Sequence, residues 1–370
     1  MTQCQDENTN DTFHLTTFRP GISSIPFISQ NMRLRLVPLR KWNPACTLTS
    51  RRRRRSHRWS RERQQRISQI KGTLLEAIVS KKQLSASVAG DVSLGGEISV
   101  HGFGFGAMRL TGEGIWGPPK DRNRALAVLR RAVELDINFI DTADSYGPYV
   151  NEELIAEALF PYPADLVIAT KGGWNRPGPN QWTHDATPAH LRKAIEGSLK
   201  RLRLDRIDLY QLHTPDPAVS FEASMETLAQ LRMEGKIRLI GLSNVTLEHI
   251  VRARRITPIV SVQNRYSFAD REWDYVVDYC DRNGIVFIPW FPLGAGKVAG
   301  DVLNEIAQGH HASPMQVAIA WLLRRSPIML PIPGTSSIEH LEQNLAAASL
   351  RISEEEYEQL AGVPELAAAR

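Results

Sequence analysis

Cysteine is scarce in this chain. Cys4, Cys46 and Cys280 are the only three in 370 residues, and none is half of a C-x-x-C pair, which excludes a disulfide framework or a structural zinc site as the source of the fold. The expected compartment is reducing. No apolar run approaches the roughly 18 residues that a membrane-crossing helix requires, and Met1-Thr-Gln-Cys-Gln-Asp-Glu7 lacks the basic-then-apolar order of a secretory signal. A soluble, cytoplasmic protein is therefore expected. A phosphate-binding G-x-G-x-x-G is missing as well. Gly102-Phe-Gly-Phe-Gly106 has the wrong spacing, and a loop of about 14 residues follows it before the first helical pattern, which argues against a doubly wound dinucleotide fold.

Acidic residues are nearly absent from one end. Of 45 Lys or Arg and 40 Asp or Glu, residues 1–72 hold 15 and 4 respectively, so a strongly basic head precedes a mildly acidic body. The head shows no sustained period of 2 or 3.6, and Arg51 to Arg55 is followed by Arg58, Arg61, Arg63 and Arg66. Such like charges repel one another, which predicts a disordered segment. Residues 1–86 are accordingly read as a basic, disordered extension and residues 87–370 as the folded domain. The arginine block is either an acidic-surface or nucleic-acid tail with Trp59 as a stacking group, or a dispensable stretch ahead of a later start such as Met32. The second reading is favoured, so no nucleic-acid partner is expected except through the extension.

What is present from Asp91 onward is periodic. Asp91-Val-Ser-Leu-Gly-Gly-Glu-Ile-Ser-Val100 alternates around Gly95-Gly96 and predicts a hairpin. Strands are then expected at 102–106, 137–141, 165–170, 207–212, 238–242, 258–262, 285–289 and 329–332. Helices are expected between and after them at 121–135, 150–159, 187–203, 219–235, 246–256, 271–283, 313–325 and 337–348. Regular alternation implies a parallel sheet with right-handed crossovers, and eight such units close into a (β/α)8 TIM barrel. A last helix, 353–362, is announced by Ser353 and Glu356 in capping-box spacing.

Polar residues end four successive apolar runs. Asp141 with Tyr146, Lys171, His213 and Asn244 follow strands that are apolar on both faces, so they converge on the C-terminal rim of the barrel, where chemistry occurs in this fold. Asp141 and Lys171 end adjacent β/α units and each favours the ionised form of the other. If the ammonium of Lys171 reaches Tyr146, it lowers a phenol pKa that is near 10 when unperturbed and makes Tyr146 a general acid. His213 is placed to hydrogen-bond the same substrate oxygen.

From about Ser87 to Leu360 the chain resembles an aldo-keto reductase. The resemblance rests on Phe139-Ile-Asp-Thr-Ala-Asp-Ser-Tyr-Gly147, Ala169-Thr-Lys-Gly172, Asp208-Leu-Tyr-Gln-Leu-His213, Gly241-Leu-Ser-Asn244, Val262-Gln-Asn-Arg-Tyr266 and Pro331-Ile-Pro-Gly-Thr-Ser-Ser337. It implies a metal-free (β/α)8 barrel that uses NADPH to reduce aldehydes or ketones. The catalytic tetrad falls on Asp141, Tyr146, Lys171 and His213, with Tyr146 as proton donor. The same likeness places Ser243, Asn244 and Gln263 on the nicotinamide carboxamide, Trp290 against the ring face, and the backbone of Leu293 and Gly294 near the pyrophosphate. Gln343 and Asn344 fall at the adenine.

One departure stands out. Gly334 and His340 occupy places where relatives carry a Lys and an Arg that grip the 2'-phosphate, so recognition would rest on Thr335, Ser336, helix-start amides near Ser337 and His340. Gly112-Glu-Gly-Ile-Trp-Gly-Pro-Pro-Lys-Asp121 and Pro289-Trp-Phe-Pro-Leu-Gly294 resemble the pyridoxal-reductase-like branch, which implies a small carbonyl such as pyridoxal as substrate. A catalytically slow nicotinamide-binding regulatory module is the alternative, and the intact tetrad argues against it.

Overall fold

The computed structural model describes residues 84–292 and 301–362. The block Arg51 to Arg66 and the expected cofactor contacts Leu293 and Gly294 lie outside the described residues. The expected hairpin forms as β1 (Asp91–Leu94) and β2 (Ile98–His101), paired antiparallel. Gly95 and Gly96 make its turn at φ 63° and 75°, the left-handed region that glycine enters without steric cost. Val92, Leu94 and Val100 pack with Phe139, Leu209 and Leu239, residues near the starts of the barrel strands, so the hairpin closes the N-terminal mouth.

The wall contains β3 (Phe105–Gly106), β4 (Phe139–Asp141) and β5 (Val167–Gly172). An antiparallel excursion, β6 (Trp174–Gly178) and β7 (Gln181–His184), leaves it after β5. The wall resumes with β8 (Ile207–Leu212), β9 (Ile237–Ser243), β10 (Ser261–Gln263) and β11 (Val286–Phe287). The seven wall strands pair in parallel in the order β11-β10-β9-β8-β5-β4-β3.

The eighth position is filled by residues 329–331. Met329 bridges Phe287, the Leu330 N–H donates to Phe287 O at 2.9 Å, and Pro331 O accepts from the Gly104 N–H at 2.9 Å, which closes a (β/α)8 barrel. Pro331 and Pro333 have no N–H to give a ladder, so this expected strand is reduced to isolated bonds. Fully buried side chains such as Phe139, Leu209 and Leu330 fill the interior, and a second layer separates strands from helices.

Helices appear where periodicity places them, trimmed by a few residues at the ends. Arg122–Glu134, Val150–Leu159 and Pro188–Leu202 follow β3, β4 and the excursion. Thr187 caps the third of these, with proline at the first helical position, where a missing N–H costs nothing. The capping box of Ser353 and Glu356 forms and opens the last helix, Glu354–Ala361. Among the described strands and α-helices, β6, β7 and the helix Asp301–Gly309 were not expected from the sequence. Among the described residues no helix is long and apolar enough to cross a membrane.

Candidate active site

Register brings the polar strand ends to one level. Asp141 pairs with Ala169, Lys171 with Gln211, Gln211 with Gly241, and Gln263 with Ser243, so the C-terminal ends of β4, β5, β8, β9 and β10 lie side by side. His213 directly follows β8, and its N–H donates to Gly172 O at 2.9 Å. Tyr146 reaches the group from the loop after β4.

The buried ion pair is the centre. Lys171 Nζ lies 2.6 Å from Asp141 Oδ2, donates to Thr142 O at 2.9 Å, and stands 3.3 Å from the Tyr146 hydroxyl. Its three donor protons are thereby accounted for. The other Asp141 oxygen, Oδ1, accepts from Gln263 Nε2 at 2.8 Å and Gln211 Nε2 at 3.2 Å. Two amides and an ammonium therefore fix this carboxylate. The His213 ring meets the Tyr146 ring edge-on at 5.7 Å, and its Nδ1 is 3.4 Å from Ser145 Oγ.

Burial competes with charge in setting the protons. For Lys171, burial favours the neutral amine, yet Asp141 and Tyr146 outweigh it and raise the pKa above its ordinary value, so the side chain is an ammonium at neutral pH. For Tyr146, burial raises the phenol pKa while Lys171 pulls it down, and burial wins. The net lowering expected from the lysine does not occur, because a phenolate in this site gives up more hydration than one ammonium returns. Burial first and Lys171 second push His213 well below its ordinary range, so the imidazole is neutral.

An open cavity of about 990 Å³ lies over this cluster. Asp141, Tyr146 and His213 line it, as do Ser243, Asn244 and Gln263. Trp290 lines it too, and its Nε1 donates to Asn244 Oδ1 at 3.1 Å, while Asn244 Nδ2 donates to His213 O at 2.9 Å. The expected nicotinamide contacts thus share one wall. Thr335, Gln343 and Asn344 also line the cavity, whereas Ser336 is exposed and does not. Thr335 Oγ1 accepts from the Ser337 N–H at 3.0 Å, at the start of the helix Ile338–Ala346.

Sequence reasoning missed several lining residues. Trp174 and Trp182 come from the excursion, and Arg109 from the loop after β3. Gln211, the second amide on Asp141, sits two residues before His213, so strand alternation alone puts it on the same inward face. That signal was available. Arg109 carried none, since only the fold brings it beside Gly334, where a Cβ would lie 3.6 Å from Arg109 Cγ.

A closed (β/α)8 barrel whose C-terminal rim presents a tyrosine, an aspartate and a neutral histidine to an open cavity, with a lysine buried behind them, is arranged for proton transfer to a bound oxygen. The chain belongs to the Aldo/keto reductase family, whose profile matches residues 103–365. It is 47% identical over 279 residues, 75% of this chain and 90% of the relative, to an uncharacterized oxidoreductase of Schizosaccharomyces pombe. It is 45% identical over 276 residues, 72% of this chain and 96% of the relative, to pyridoxine 4-dehydrogenase of Escherichia coli. Among solved structures, an aldo-keto reductase from Klebsiella pneumoniae in complex with NADPH superposes with a TM-score of 0.62 at 28% identity, over 73% of this chain and 93% of that one.

Proposed function

We propose that the protein is an NADPH-dependent reductase of aldehydes or ketones in which Tyr146 is the proton donor, and that pyridoxal, reduced to pyridoxine, is a substrate. One observation carries the reading: the Tyr146 hydroxyl faces the cavity 3.3 Å from an ammonium that is itself locked 2.6 Å from Asp141. The 45% identity to a pyridoxine 4-dehydrogenase supports the substrate, and a family neighbour solved with NADPH supports the cofactor.

The cavity suits a dinucleotide. Asn244 and Trp290 are joined edge to edge where a nicotinamide would rest, with Ser243 and Gln263 beside them. At the other end stand the Thr335 hydroxyl, the first amides of a nine-residue helix whose N-cap Ser337 makes no side-chain capping bond, and Arg109. Arg109 is exposed and makes no hydrogen bond or ion pair among the described residues, so its guanidinium is available to a phosphate. It supplies the cation that Gly334 lacks.

When bound, NADPH supplies a hydride. The substrate carbonyl carbon takes that hydride, and the carbonyl oxygen takes the proton of the Tyr146 hydroxyl, which gives an alcohol. Lys171 lies beside the phenolate left behind and stabilises it, while Asp141 keeps Lys171 charged. Neutral His213 directs an N–H at the carbonyl oxygen without adding a second charge.

NADPH consumption with pyridoxal and with benzaldehyde, repeated with NADH, tests activity and cofactor together. Tyr146→Phe should lower kcat at least about 100-fold, the usual contribution of a positioned acid, and leave the NADPH Kd within about threefold. A variant that keeps most of its turnover would assign the acid elsewhere.

A further inference from the structure

The β6–β7 excursion carries, in the middle of β6, a side chain whose bonding is out of proportion to a surface arginine. Arg176 Nε donates to Gln181 O at 2.8 Å within the excursion. Its two terminal nitrogens cross to other segments, Nη1 to Ile115 O at 2.9 Å and Ser145 O at 3.0 Å, and Nη2 to Gly114 O at 2.9 Å. Four carbonyls from three segments thus occupy the guanidinium, which is not free to receive a substrate anion. Its Cζ also lies 3.7 Å from the centre of the Trp182 ring, a cation stacked on an aromatic face.

Each anchored segment borders the cavity. Ile115 lines it from a loop held at φ 54°, a conformation that is an outlier for a β-branched residue and persists only when neighbours impose it. Ser145 precedes Tyr146. Trp174 and Trp182 both line the cavity, stand nearly perpendicular to each other with centroids 5.8 Å apart, and meet the His213 ring in T-shaped contacts with centroids 6.4 and 6.5 Å away. Two indoles beside the histidine form an L-shaped aromatic corner, which complements a flat ring better than a flexible alkyl chain.

We infer that Arg176 is a positioning residue that locks Trp174 and Trp182 into an aromatic corner and thereby makes the site selective for planar aromatic carbonyls over aliphatic ones. The inference rests on the reductase reading for its chemistry, and on the geometry alone for the ring preference. Lysine cannot replace the guanidinium, because a compact ammonium does not span four divergent carbonyls and stacks poorly on indole.

The measurement is the ratio of kcat/KM for benzaldehyde to that for butanal in the wild type, Arg176→Ala, Arg176→Lys, Trp174→Leu and Trp182→Leu, with NADPH Kd determined by fluorescence. The wild type should favour benzaldehyde, and the ratio should fall about tenfold in Arg176→Ala and Trp182→Leu, the scale of one lost aromatic contact. Arg176→Lys should not restore it, and the NADPH Kd should stay within about twofold, since Arg176 bonds none of the expected cofactor contacts. An unchanged ratio in both tryptophan variants overturns the corner. An unchanged ratio in Arg176→Ala alone overturns the role of Arg176. If Arg176→Ala fails to fold by circular dichroism, Arg176→Lys decides its part. Should the wild type reduce neither aldehyde, NADPH consumption with pyridoxal decides the reductase reading separately. Tryptophan-fluorescence titration with benzaldehyde then decides the corner, equal affinity of wild type and Trp182→Leu overturning it.

Discussion

A phenol that is 6% exposed and lies 3.3 Å from an ammonium feels two opposed influences. Burial, the larger, holds the proton on Tyr146 above the ordinary value of 10.0, and the same burial keeps His213 neutral until well below 6.5. The proposed reduction needs the phenol protonated, so kcat in the NADPH complex should be flat from pH 6.5 to 10 and fall only as pH rises through the raised phenol pKa. A descending limb near neutrality in steady-state rates would point to another acid. The ion pair beneath yields a stability prediction. Asp141→Asn leaves the Lys171 charge buried without its counter-charge, which should cost about 3–5 kcal/mol in urea unfolding at pH 7. The exposed pair Arg192–Glu234, whose side chains are 33% and 32% accessible, should contribute less than about 1 kcal/mol in the same measurement. The sign with pH follows from Lys171. In the wild type its raised pKa adds stability below 10.5 that is lost as pH climbs through the folded value. Without Asp141, burial depresses that pKa, so the deficit of Asp141→Asn should shrink as pH approaches 10.5. The positions of Asp141, Tyr146, Lys171 and His213 were legible because each ends an apolar run. The direction of the Tyr146 shift was not, since burial is a property of packing rather than of neighbours in the chain.

Elements set where the end of the cavity proposed for the cofactor phosphate finds its charge. The helix Ile338–Ala346 offers first-turn amides without a side-chain cap, Thr335 ahead of it adds a hydroxyl, and among the described lining residues the one exposed guanidinium enters from the short 3-10 turn Ala107–Leu110. Arg109→Ala should therefore weaken NADPH about tenfold in a fluorescence titration, the scale of one charge-assisted hydrogen bond. NADH, without the 2'-phosphate, should change less than about threefold by the same argument. Equal losses for both cofactors would move Arg109 to the pyrophosphate. At this scale the regular elements were readable and the insertions were not. Long amphipathic stretches such as Arg122–Glu134 declare themselves by period. The helix Asp301–Gly309, which buries Leu303, Ile306 and Ala307, is short and was not expected. The excursion β6–β7 had a turn signal in Gly178-Pro-Asn180, with Asn180 at φ 56°, but a hairpin interrupting a β/α unit runs against the repeat that made the rest readable.

At the scale of the molecule, closure of the barrel places the described residues that line the cavity at Gly106 or later in the chain. The turn ahead of the hairpin serves the fold instead. Ala86 is fully buried, its N–H donates to Leu135 O at 2.9 Å, and Gly90 O accepts from the Gly102 N–H at 2.7 Å, so residues 84–90 pin the hairpin to the end of the first helix. Alternation of strands and helices made the barrel legible, but this latch was not, because one alanine and two backbone bonds leave no periodic trace. We propose that the residues before Leu84 take no part in turnover. A chain beginning at Leu84 should match the full chain in kcat/KM. One beginning at Asp91 should lose about 1–2 kcal/mol from the lost apolar burial and hydrogen bonds, a fall in Tm of about 2–6 °C for a domain of this size. Its turnover at 25 °C should be unchanged, because the latch touches the N-terminal end of the barrel and the chemistry is at the other. If removing residues 1–83 instead lowers kcat/KM while Tm holds, the basic head acts on the cavity and belongs in the mechanism.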